Sequence, residues 1–109
     1  MEYTNEKEKD FRFGDWGPKY IFRGPKIEWG ILILKESTEL GKHLHNTVEE
    51  TFYFLEGEGK IIINEIEHKY SQGDAFRIEP NESHNIIPSK FTKAIFIKAP
   101  FNPEDKVKL

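Results

Sequence analysis

From residue 20 onward the chain consists of short apolar runs rich in Ile, Val, Phe and Tyr, interrupted by Gly, Pro, Asn and Asp. Many short strands separated by turn residues predict an all-β sandwich or barrel. The spacing predicts strands over residues 19–23, 27–35, 42–45, 50–56, 60–64, 66–70, 74–78, 84–87 and 92–98. Within residues 50–56, Glu50, Phe52 and Phe54 share one parity and therefore one face. Residues 29–34 are apolar at both parities, which predicts that both faces are covered. Asn64-Glu65 lies between two alternating runs, where Asn-Gly would be the ideal two-residue hairpin turn. Gly57 and Gly59 mark another reversal. No segment repeats its apolar residues at the helical period over a helical length. Residues 1–17 are polar and predict a solvated N-terminal arm, whose later aromatics Phe11, Phe13 and Trp16 dock on the rest. Residues 18–109 are expected to form one barrel domain.

Composition narrows the function classes. A chain of 109 residues fits one domain with a small core. The net charge is −3 and lysines are dispersed among glutamates, so no nucleic-acid partner is expected. No run is apolar enough to span a bilayer, and MEYTNEKEKD is too charged for the apolar region of a signal peptide. A cytoplasmic protein with no membrane partner is the expectation. With no cysteine there are neither disulfides nor thiolate metal ligands. Charged residues make up 32% of the chain, mostly Glu and Lys, with a single glutamine, a bias in keeping with a thermophilic source.

The candidate chemistry lies in the histidines, at positions 43, 45, 68 and 84. His43 and His45 are two apart on a predicted strand, so both rings point to one face, with Cβ atoms roughly 7 Å apart. Two imidazoles at that separation can lean onto one ion at about 2.1 Å. Glu50 opens the next strand after a short loop and shares the inward parity of Phe52 and Phe54, while Glu49 has the opposite parity. His84 opens a later strand that a barrel could bring across the interior. His68, between Glu67 and Lys69, reads as an ordinary exposed residue.

These residues carry a resemblance. GKHLHNTVEETFYFLEGEG is similar to the first cupin motif, with His43, His45, Glu50 and Gly57 at its spacing. GDAFRIEPNESH is similar to the second, with Gly73 and His84 in register. Four positions depart from the pattern. Ser37 stands where the first motif has a glycine. In the second motif Glu79 replaces the proline, Asn81 replaces the second glycine and Pro88 replaces an asparagine. None of these is a metal ligand in the family. Asn81 can adopt the left-handed turn that favours glycine. The chain thus resembles a small single-domain cupin of the conserved-barrel type, which implies an all-β double-stranded β-helix, or jelly-roll barrel.

The resemblance implies one divalent transition-metal ion on His43, His45, Glu50 and His84. Three imidazoles and one carboxylate suit Fe, Mn, Ni, Cu or Zn, and on a six-coordinate ion they leave about two positions open. Open positions admit water, dioxygen or a bidentate oxyacid. An interior lined by Phe52, Phe54, Phe76, Ile78 and Ile86 would be apolar and suit a small or aromatic small-molecule ligand. Trp29 and Arg23 are further candidates for the substrate pocket. Arg23 is read either as an anchor for a carboxylate or as an outward-facing residue, and the parity of Arg77 turns it away from the pocket. No catalytic acid or base is identified beyond the metal ligands. The leading expectation is a metal-dependent enzyme of dioxygenase or related oxidoreductase type. The alternatives are a non-catalytic ligand-binding or sensor module, and a metal-assisted sugar or sugar-phosphate isomerase, which would require a basic pocket drawn from Arg23, Lys35 and Lys98. Small cupins generally dimerise, so a homodimer with residues 11–23 at its interface is expected.

Overall fold

The alternation of apolar and polar residues becomes two facing antiparallel sheets. A computed structural model describes residues 1–109 and contains ten strands. They are β1 (Gly17–Arg23), β2 (Glu28–Leu34), β3 (His43–Leu44), β4 (Glu49–Glu56), β5 (Gly59–Ile63), β6 (Ile66–Tyr70), β7 (Ala75–Ile78), β8 (His84–Pro88), β9 (Thr92–Ala99) and β10 (Val107–Lys108). One sheet has the order β1-β2-β9-β4-β7 and the other β10-β3-β8-β5-β6. This is the jelly-roll arrangement, in which two sheets share one core. Nine strands lie where the apolar runs predict them. The two-residue β10 was not expected, and a 3-10 turn at Glu6–Glu8 lies within the predicted arm.

The core comes from the inward parity of each strand. Leu32, Leu34, Phe52, Phe54, Ile61, Tyr70, Ile78, Ile86, Ala94 and Phe96 form one buried cluster. Phe54 stacks on Tyr70 with ring centroids 4.0 Å apart, and the Tyr70 hydroxyl meets Thr92 Oγ1 at 2.8 Å. That bond satisfies the one polar atom of an otherwise apolar ring in the core. Residues 29–34 are covered on one side only. Gly30, Leu32 and Leu34 are buried, whereas Trp29, Ile31 and Ile33 on the outward parity are half-buried.

Two of the four departures from the motif keep the backbone conformation that glycine favours. Ser37 has φ 68° and Asn81 φ 69°, so both non-glycine residues hold the left-handed backbone. Gly57 has φ 107°, and a Cβ there would stand 2.5 Å from the carbonyl oxygen of Phe91. This position takes only glycine.

The hairpin between β5 and β6 has positive φ at both central residues, Asn64 at 49° and Glu65 at 70°. This is the turn whose second position favours glycine. Glu65 is exposed, and its contact is an exposed ion pair with Lys42, which contributes little. Glu65→Gly is therefore expected to stabilise the fold by about 0.5–1 kcal/mol by removing left-handed strain. Thermal melts would show a rise of a few degrees; a fall would mean that the Lys42 contact outweighs the strain.

Candidate metal centre

The two sheets deliver the four ligand candidates from opposite sides. His43 lies in β3 and pairs directly with His84 at the start of β8, and His45 follows just beyond β3. Glu50 reaches in from β4 in the facing sheet, where its cross-strand neighbours are Ile78 and Lys98. All four side chains are buried, and one ligand atom from each lies within 4.8 Å of the others. Glu49, one residue earlier, is half-buried and outside the cluster. His68 is exposed on β6 and is not part of the cluster, its ring standing 6.2 Å from that of Phe76.

The hydrogen bonds orient the rings. His43 Nδ1 donates to the Gly41 carbonyl at 3.0 Å, His84 Nδ1 to that of Glu82 at 3.3 Å, and His45 Nδ1 to that of Asp105. With each Nδ1 proton placed on a carbonyl, each neutral ring presents the Nε2 lone pair to the centre, the arrangement that outer partners impose on metal-bound histidines. His45 Nε2 and His84 Nε2 each stand 3.3 Å from Glu50 Oε1. Ligand atoms held cis at about 2.1 Å from one ion stand about 3 Å apart, so these spacings need only a small contraction. Lone pairs of nitrogen and carboxylate oxygen that face each other repel unless a cation lies between them. His84 Nε2 is buried with no hydrogen-bond partner. That orphaned atom and the donor set fit a metal ion.

Burial and charge act differently on these groups. Burial, with the neighbouring His84, depresses His43 to about 3, so its ring stays neutral. Burial opposes ionisation of Glu50, but the His45 and His84 rings that face it, together with the Lys98 ammonium, outweigh burial and hold the carboxyl well below its usual range. Burial also lowers His45, and the Glu50 carboxylate more than restores it.

A cavity of about 260 Å³ opens beside the cluster. Of the expected pocket residues, Phe52 and Arg23 line it, but Trp29, Phe54, Phe76 and Ile86 do not. Trp29 has the outward parity of β2, while Phe54 and Ile86 pack into the closed core. Phe76 packs edge-on against Phe54. The cavity is not the apolar chamber expected. Arg12, Arg23, Lys98 and Lys106 supply positive charge, and Glu28 and Asp105 line it as well as Glu50. Lys35 lies elsewhere, paired with Asp15. Arg77 is exposed and within 3.9 Å of Glu79.

Glu28 and Asp105 were not anticipated from the sequence, whereas Lys98 was expected only as one part of a basic pocket. Lys98 lies at the inward parity of β9, in line with Thr92, Ala94 and Phe96, and its ammonium donates to the Tyr20 hydroxyl at 3.0 Å. Its position in the alternation was the available signal. Glu28 is buried and accepts Arg23 Nε at 2.8 Å. Asp105 has no sequence signal. Its carboxylate accepts the backbone N–H groups of Asn46 and Thr47 at 2.7 Å each and of Val48 at 2.9 Å, and so fixes the loop between His45 and Glu50.

The family model described as the Cupin domain matches residues 30–95. An uncharacterized protein of Methanocaldococcus jannaschii, MJ1618, is 30% identical over 66 residues, which cover 61% of this chain and 53% of that protein. The chain thus spans about half the length of this curated relative. A Klebsiella pneumoniae protein with a double-stranded β-helix domain superposes with a TM-score of 0.82 at 17% identity, over 99% of this chain and 96% of that one. Pac13, a nucleoside dehydratase from Streptomyces, superposes with a TM-score of 0.83 at 18% identity, over 100% of this chain and 92% of that one. At these identities the superpositions establish the fold. No helix is long and apolar enough to cross a membrane.

Proposed function

Since the chain belongs to the cupin domain family, we propose that it is a metal-dependent enzyme whose substrate, a small organic molecule, binds directly to a divalent ion on His43, His45, Glu50 and His84. The observation that carries this reading is the convergence of three Nε2 atoms and one carboxylate oxygen beside a cavity. A bound ion of Fe or Mn type would keep about two positions free and supply Lewis acidity to a coordinated oxygen atom. The residues of the chain do the rest. Glu50 and the three rings hold the ion, their carbonyl partners fix the tautomers, and Tyr20 and Phe52 wall the cavity. Pac13 supports the plausibility of an enzyme in a barrel this small.

A dioxygenase or other oxidoreductase and an isomerase differ in whether dioxygen is consumed. The cationic residues Arg23 and Lys98 on the cavity favour the isomerase reading, whose basic pocket they supply in part. The test is turnover of an oxyacid, diketone and sugar-phosphate panel by protein loaded with each of Fe, Mn, Ni, Cu and Zn, with an oxygen electrode in parallel. Product from any one member is the expected result. A protein with full metal occupancy that changes none of them is a binding module and not an enzyme.

The reading includes a cytoplasmic homodimer. Trp29, Ile31, Ile95, Ile97 and Tyr53 adjoin one another across the outward side of one sheet, with Ile97 42% and Tyr53 43% exposed. A contiguous apolar face of that kind marks an interaction surface. Light scattering is expected to give twice the mass of the chain, and Ile97→Lys should return it to one. A monomeric mass for the unmodified protein would remove the dimer.

A further inference from the structure

Beyond the metal ligands, the cavity lining carries cationic side chains that form no ion pair within the protein. Its three carboxylates are all engaged. Glu50 faces His45 and His84, Glu28 accepts from Arg23, and Asp105 accepts three backbone N–H groups. Arg23 is correspondingly occupied, held by Glu28 and stacked over the Tyr20 ring at 4.1 Å. The other three cations on the lining, Arg12, Lys98 and Lys106, form none of the ion pairs in the molecule. Lys98 is half-buried, and the Tyr20 hydroxyl takes only one of its three donors. Lys106 is half-buried too, and burial together with the nearby Arg12 and Lys98 charges pushes its ammonium below its ordinary value. Like charges around Lys106 oppose its charged form, and an anion among them would reverse the sign of that interaction.

We propose that this cluster is the recognition site for a small organic oxyanion, whose carboxylate or phosphate group lies among Lys98, Lys106 and Arg12 while another of its oxygen atoms reaches the ion. The second half of this statement rests on the metal reading above; the first does not. A volume of about 260 Å³ restricts the ligand to a small molecule, since pockets for drug-sized ligands run to about 300–1,000 Å³. Lys98 is best placed to join the two halves, because its neighbour across the ladder is the ligand Glu50.

The test is calorimetric titration of the full chain with inorganic phosphate and with malonate, at low ionic strength, before and after metal loading. Metal content is measured on the same samples. The metal-free protein is expected to bind at least one of the two anions, and Lys106→Met and Lys98→Met each to weaken that binding tenfold or more. The tighter of the two probes identifies the head group, and either supports the proposal. Lys106 forms no hydrogen bond or ion pair with a metal ligand, so if Lys98→Met fails to fold, Lys106→Met and Arg12→Met carry the test. Absence of binding by metal-free protein to both anions, or unchanged affinity in the Lys106→Met and Arg12→Met variants, overturns it. Anion binding without metal uptake would sink the metal reading alone, and metal uptake without anion binding would sink this one alone.

Discussion

His84→Ala is expected to purify without stoichiometric metal and to show no rise in melting temperature on metal addition, where the unmodified protein gains on the order of 10 °C. The ring of His84 is almost fully buried, at 1% exposure, and its Nε2 has no partner within the protein. Removing outer partners of metal ligands already costs about 10–100-fold in affinity, so removing a ligand costs at least the upper end of that range. An ion present at a hundred times its dissociation constant stabilises the native state by about 2.7 kcal/mol. In a domain of this size each kcal/mol moves the midpoint by roughly 4–8 °C. The comparison must be made between metal-loaded and chelated samples of each protein. In metal-free protein the substitution has two opposing effects, the loss of a buried ring and the removal of an orphaned acceptor. An equal metal-dependent increment in His84→Ala would show that the ion, if bound, is held elsewhere.

How much of this was legible in the sequence can be judged residue by residue. Parity located nine strands and put Glu50 on the inward side with Phe52 and Phe54. The pattern of turns was equally informative, since Ser37 and Asn81 take up the left-handed backbone where the family pattern has glycine. The cavity was harder to read. Hydrophobic character predicted Phe54, Phe76 and Ile86 as its walls, yet large apolar side chains are drawn to the closed end of a barrel, where they can be covered completely. The open end is left to residues that keep contact with water, and these came from segments with no period to read. Arg12 lies in the N-terminal loop, and Asp105 and Lys106 follow the last long strand. Trp29 was misplaced for a different reason. It obeys alternation and lies on the outward side of its strand, but its residue type suggested a pocket wall.

Asp105→Ala is expected to lower stability by about 1–3 kcal/mol at neutral pH, and Asp105→Asn to flatten the acid limb of the stability curve. The Asp105 carboxylate accepts four hydrogen bonds, three from successive backbone N–H groups and one from the Thr47 hydroxyl at 2.9 Å. Burial opposes its ionisation, but the N–H groups of Thr47 and Asn46 prevail and hold it at about 2, against an ordinary 3.8. A carboxyl depressed on folding contributes stability in full above its unfolded value and loses it as pH falls through the folded one. The contribution of Asp105 is therefore complete above pH 4 and disappears between about 4 and 2. Glu50 weakens the fold in the same direction on acidification, but it does so in both proteins, so the difference between them isolates residue 105. Urea unfolding at pH 5, 4, 3 and 2 would measure it. The same clamp bears on the metal. The backbone carbonyl of Asp105 receives the Nδ1 proton of His45, and its side chain anchors the loop that joins His45 to Glu50. Freeing that loop lets two of the four ligands wander, so Asp105→Ala should also lose about 10–100-fold in metal affinity. Parallel acid limbs in the two proteins, together with unchanged metal affinity, would reduce residue 105 to an ordinary loop carboxylate.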